Sequence, residues 1–149
     1  MIAPWIPVLL WIGVIAFLGS PSFALDETSR FIGPLLRWLF HDWSDGRIAT
    51  LHGAIRKLAH MAEYAVAAIL TFRALWQTRG PLSRIQAALP TLALLALVAL
   101  ADEGRQARGT ARTGSGYDVL LDLAGGVAGL VAAPLAVVCP SRRRRKEHG

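Results

Sequence analysis

The sequence predicts an all-α, polytopic membrane protein: a four-transmembrane-helix bundle with an interfacial helix between helices one and two. Three observations carry that expectation. Hydrophobic residues make up 54% of the 149-residue chain and charged residues 17%, against about 45–50% and about 25% in soluble domains. The apolar residues fall into four runs divided by charged segments. Four spans of about 20 residues leave only loops and tails, which excludes an additional soluble domain and most soluble enzyme classes. Finally, much of the formal charge of +6 sits in one tail, where Arg142, Arg143, Arg144, Arg145 and Lys146 directly follow the last apolar run. An anionic leaflet surface selects basic residues at such a place, so no nucleic-acid partner is expected from this charge.

The first run, residues 1–18, holds no charged side chain, and Pro4 and Pro7 fall in the opening turns, where a helix tolerates them. A cleaved leader is the rival reading, because Ser22-Phe23-Ala24 resembles a small-x-small cleavage site; no Lys or Arg precedes the apolar stretch, however. Residues 21–56 form the longest polar connection. Within it Phe31, Leu35, Leu36, Leu39 and Phe40 recur at helical spacing, with Arg30, Arg37, Trp38, His41 and Trp43 around them. That pattern fits a helix lying in the interface, and equally an amphipathic segment packed on the bundle.

Residues 58–76 form the second span, about 28 Å long at about 1.5 Å per residue. A turn over 77–81 leads to the third span, residues 85–101, in which Pro90 is a site for a kink. It ends at Asp102-Glu103, and a polar connection rich in Gly and Arg (104–116) precedes the fourth span, residues 117–138. There Gly125, Gly126 and Gly129 would admit a neighbouring helix at close range. Cys139, the single cysteine, excludes an intramolecular disulfide. Residues 1–141 thus form one transmembrane domain and residues 142–149 a basic tail.

Four spans place both termini and the 77–84 turn on one side. Eight Lys and Arg residues fall on each side, accompanied by one acid on the terminal side and nine on the other. The orientation rule counts bases rather than net charge, so the compact tail decides: the termini are expected in the cytoplasm.

The polar residues that intrude on the apolar spans gather at the opposite membrane face. Lys57, His60, Glu63 and Tyr64 open the second span, Asp102, Glu103 and Gln106 end the third, Arg112 lies in the next connection, and Asp118 and Asp122 begin the fourth. At helical spacing, Lys57, His60, Glu63 and Tyr64 occupy one arc of about 120°. Asp118 and Asp122 share a helix face, as would Asp102 and Gln106 if the third helix runs one turn further. A carboxylate within a span costs about 2.5–3.5 kcal/mol at a helix centre and less near the interface, so it persists mainly when paired or functional. A structural network, with Arg112 or Lys57 paired to Asp102, Asp118 or Asp122, would also pin the helices together.

In this arrangement the chain resembles the VanZ-like membrane proteins. The matching residues are Arg56-Lys57-x-x-His60-x-x-Glu63-Tyr64, Asp102-Glu103-x-x-Gln106, and Arg112-x-Gly114-Ser115-x-x-Asp118-x-x-x-Asp122-x-x-Gly125, with a first apolar helix ending near Gly19-Ser20-Pro21. The resemblance covers nearly the whole chain. Gly104-Arg105, inside the Asp102-Glu103-x-x-Gln106 motif, departs from the apolar residues usual in the family. The resemblance implies a bacterial cytoplasmic (inner) membrane protein of the cell envelope, from a family whose named member is associated with low-level teicoplanin resistance.

The leading functional expectation is a protein whose outward pocket of Lys57, His60, Glu63, Tyr64, Asp102, Glu103, Gln106, Arg112, Asp118 and Asp122 engages a membrane lipid headgroup or envelope glycolipid. Lys57 and Arg112 would meet an anionic group while the carboxylates orient those bases and accept sugar hydroxyls. The alternative is an intramembrane enzyme acting on an envelope lipid, with His60 as general base or, with Glu63, Asp102 and Asp118, as a divalent-metal ligand. No nucleophile is paired with His60 in the sequence, and His60-x-x-Glu63 is not the His-Glu-x-x-His pattern of zinc hydrolases. A transporter would need a continuous polar path, and beyond Asp122 only Thr71, Arg73 and Gln86 offer one. The sequence specifies no cofactor and no oligomeric state.

Overall fold

The computed structural model describes residues 2–20, 25–80, 83–106 and 116–138. After a 3-10 turn over Ala3–Trp5, the chain forms α1 (Ile6–Leu18), α2 (Leu25–Leu39), α3 (Asp45–Arg79), α4 (Arg84–Gln106) and α5 (Gly116–Val138). Among the described residues the secondary structure is entirely helical. Three helices, α3, α4 and α5, are long and apolar enough to cross a membrane, so the chain is a multi-pass membrane protein. The first apolar segment is helical over Ala3–Leu18 and shorter than these three.

The helix ends follow local chemistry. Ser44 is extended and its carbonyl accepts the Arg47 and Ile48 amides at 3.0 and 3.1 Å, opening α3. Gly80 ends it with φ of 78°, a left-handed conformation that a residue without Cβ adopts at no steric cost. Ser83 and Gln86 then form a reciprocal capping box: the Gln86 side-chain oxygen accepts the Ser83 amide at 2.9 Å, and the Ser83 hydroxyl accepts the Gln86 amide at 3.3 Å. Gln86, one of the three candidates for a polar path, is therefore committed to starting α4.

The main departure from the sequence expectation lies in α3. Its 35 residues extend about 52 Å, well beyond a hydrocarbon core of about 30 Å. The second span of residues 58–76 is only its apolar part. Residues 45–57 continue the same helix beyond that apolar stretch, and a hydropathy reading detects apolar composition rather than helicity. The helix α4 likewise continues through Gln106, the extra turn on which the shared face of Asp102 and Gln106 depended.

Packing is built on small residues. Gly125 and Gly129 set the α5 backbone directly on α3: a Cβ on Gly125 would overlap the Met61 carbonyl oxygen, and one on Gly129 the Ala65 carbonyl oxygen. Gly126 faces Leu95 of α4, where a Cβ would approach its Cδ1 at 2.7 Å. These glycines thus serve packing within the bundle. The core joins Ile15 of α1, Tyr64, Ala67 and Ala68 of α3, and Leu95 and Ala99 of α4, with Val119, Leu123 and Leu130 of α5 against them. Close approach through Ala and Gly is how helices associate where lipid removes the hydrophobic drive. The outer leucines remain uncovered, Leu97 at 66% and Leu120 at 64% exposure, as a lipid-facing surface requires.

Gly125→Val or Gly129→Val is expected to lower stability by about 1–3 kcal/mol, the usual cost of forcing methyl groups into a filled contact. The exposed Val127 tolerates Val127→Leu with a change within about 0.5 kcal/mol. Thermal unfolding in detergent checks both, and an unchanged midpoint in the glycine variants would contradict the packing.

Candidate functional site

Where α3, α4 and α5 draw past the glycine contact they enclose a cavity of about 250 Å³. Its α3 wall is Gly53, Arg56, Lys57 and His60; its α4 wall is Ala99, Asp102 and Glu103; its α5 wall is Asp118, Leu121 and Asp122. The spacing explains the assembly, because each wall repeats at three and four residues and so presents one helix face. Gly53 leaves room, since a Cβ there would meet nothing within 4 Å.

Six of the ten residues singled out in the sequence therefore line one cavity: Lys57, His60, Asp102, Glu103, Asp118 and Asp122. Glu63 and Tyr64 do not line it. Tyr64 is fully buried in the core, in the cluster it forms with Ile15, Ala67, Ala68, Leu95 and Ala99. The backbone carbonyl of Glu63 accepts the Trp11 indole N–H at 2.8 Å, which ties α1 to α3. Gln106 is the last residue of α4. Arg112 lies outside the described residues, and with it the ion pairs suggested for it.

Two polar contacts organise the walls. His60 Nδ1 stands 3.7 Å from Asp122 Oδ1 across the α3–α5 boundary, an ion-pair separation rather than a hydrogen bond. Asp102, nearly buried, accepts from Arg105 Nη2 at 2.5 Å. The same nitrogen donates to the Ala16 carbonyl oxygen at 3.0 Å, placing a cation on the C-terminal turn of α1, where the helix dipole favours it. Gly19 completes this joint, because a Cβ there would lie 2.7 and 2.8 Å from the two Asp102 carboxylate oxygens. At the cavity edge, Lys57 Nζ sits 5.2 Å above the Tyr117 ring, within cation–π range.

Two further residues belong here that the expected pocket did not include. Arg56 lines the cavity, and its Nη1 is buried with no hydrogen-bond partner among the described residues; its place one residue before Lys57 was the available signal. Arg105 stood out in the sequence only as a departure from the family pattern three residues from Asp102, because its other partner is a backbone carbonyl 89 positions away. Among the described residues, no three His, Cys, Asp or Glu side chains converge in a way that could hold a metal ion. The set of His60, Glu63, Asp102 and Asp118 is therefore not assembled as a metal centre.

A family model described as VanZ/LLP1 matches residues 5–137. No curated protein and no solved structure matches.

Arg105→Gln is expected to fray the end of α1 by about 0.3–1 kcal/mol, the worth of a cation at a helix C-terminus. Hydrogen exchange at the Gly19 and Ser20 amides, which close the last turn of α1, should accelerate about two- to fivefold, which is that energy expressed as an opening equilibrium. Unchanged exchange would contradict the capping role.

Proposed function

The chain belongs to the VanZ/LLP1 family across residues 5–137, and from that premise we propose that it binds a cell-envelope lipid or glycolipid by taking the polar headgroup into the cavity between α3, α4 and α5. One observation carries this reading: a cavity lined by both cationic and anionic side chains opens where the apolar part of α3 gives way to its polar extension. Headgroups occupy that depth in a bilayer. A mixed-charge wall suits them, since Arg and Lys bind phosphate or carboxylate while carboxylates accept from hydroxyl and amine donors.

The proposed topology has four spans in the bacterial inner membrane, with Ala3–Leu18 crossing as the first and the termini cytoplasmic, so that the cavity faces outward. The 3-10 turn and α1 together reach about 24 Å, short of the hydrocarbon core by an amount that local bilayer thinning accommodates. Helix α2 lies in the interface between the first two spans. Its Leu35, Trp38 and Leu39 are exposed on one side, and Arg30 and Arg37 lie toward the other, the division an interfacial helix needs. A teicoplanin-resistance role rests on family resemblance alone and adds no residue to the site.

A structural reading of the polar cluster is favoured by the His60–Asp122 pair and by the Asp102–Arg105 joint to Ala16, which hold α3 to α5 and α4 to α1. Arg56 and Asp118 take part in neither contact and distinguish the two readings. Native mass spectrometry of the protein released from gentle detergent should show a defined lipid adduct with the wild type and its loss in an equally stable Asp118→Ala variant. Equal lipid retention by both, or none by the wild type, would contradict headgroup binding and favour the structural network.

A further inference from the structure

The charges lining the cavity are segregated by helix. The α3 wall carries Arg56, Lys57 and His60, and no acid; the facing walls of α4 and α5 carry four carboxylates and no base. Internal contacts engage part of this lining, because His60 Nδ1 lies 3.7 Å from Asp122 Oδ1 and Asp102 holds Arg105. What remains is polar in the electrical sense: a buried guanidinium nitrogen of Arg56 without a partner among the described residues and the Lys57 ammonium on one side, and the exposed Asp118 of α5 on the other. An anionic ligand would satisfy the first wall and be repelled by the second. A sugar would leave the guanidinium without an acceptor of full charge.

Resting on the headgroup-binding reading above, we propose that the ligand is a zwitterionic phospholipid carrying a primary amine, with its phosphate on Arg56 and Lys57 and its ammonium on the carboxylate wall at Asp118. A phosphate offers Arg56 the charge-assisted acceptor it lacks. A primary ammonium has three donors for carboxylate oxygens, whereas a quaternary one has none. The two opposite charges of such a headgroup lie a few bonds apart, and the cavity supplies their complements on opposing helix faces.

The test uses the full-length protein in nanodiscs containing equimolar phosphatidylethanolamine, phosphatidylglycerol and phosphatidylcholine, with retained lipid identified by native mass spectrometry. Retention of phosphatidylethanolamine should exceed that of either competitor by about tenfold, the range of one charge-assisted hydrogen bond. Asp118→Asn should abolish this preference while leaving phosphatidylglycerol retention unchanged, whereas Lys57→Gln should weaken retention of all three. Replacing the lipid with its N-acetylated form, which removes the positive charge without altering the protein, should abolish the preference even if a variant fails to fold. Soluble phosphoethanolamine added as competitor separates a headgroup site from a lipid site: displacement of the lipid shows that the headgroup supplies the recognition. Equal or greater retention of phosphatidylglycerol, or full retention of the N-acetylated lipid, would overturn the zwitterion assignment and leave headgroup binding standing. Retention of no lipid would overturn both.

Discussion

The close seating of α5 on α3 is the constraint on which the rest of the bundle depends. Gly125 and Gly129 bring one helix backbone against the Met61 and Ala65 carbonyls of the other, a separation no larger residue permits. Asp122 lies three residues before Gly125 and His60 one before Met61, so the contact that locks the helices also brings that acid and imidazole face to face. One turn further, bulky polar side chains replace glycine and the cavity opens. Packing and site are thus consecutive turns of the same helix pair, and a change in the depth of the glycine contact would move every wall residue on α5 relative to α3.

The second organising element is the length of α3. A 35-residue helix is longer than a hydrocarbon core about 30 Å thick, and its polar first third, residues 45–57, adjoins the apolar part that packs in the bundle. Arg56 and Lys57 lie at that transition. Charged groups near a membrane face escape most of the burial cost they would meet at the bilayer centre. Arg105 adds a separate joint, holding α1 to α4 through Asp102 and the Ala16 carbonyl, so that Asp102 shapes the cavity while committed to a structural pair.

Much of this was readable from residue order alone. The third and fourth apolar runs, 85–101 and 117–138, correspond to α4 and α5 with small extensions, because an uninterrupted apolar run has few alternatives to a helix in lipid. The polar arc on α3 and the Asp118–Asp122 face follow from helical spacing, and with Asp102 and Glu103 at the end of the third run they supply six residues that line one cavity. Residues 45–57 escaped recognition as part of α3 because their charges hide them from hydropathy. Tyr64 shares the arc but turns into the core, where alanines on α3 and α4 leave space for its ring. The Arg105 joint was beyond reach because a backbone carbonyl carries no sequence signature, and the pairings suggested for Arg112 fall outside the described residues.

The cavity between α3, α4 and α5 is read as a headgroup site rather than a gap sealed by internal polar contacts. An experimental structure of the protein in lipid nanodiscs tests it most directly. Continuous density from a headgroup between Arg56 and Asp118, leading to an acyl chain along the exposed flank of the bundle, is the expected result. A cavity holding only water, with the Arg56 guanidinium turned onto a carboxylate of the protein itself, would contradict it.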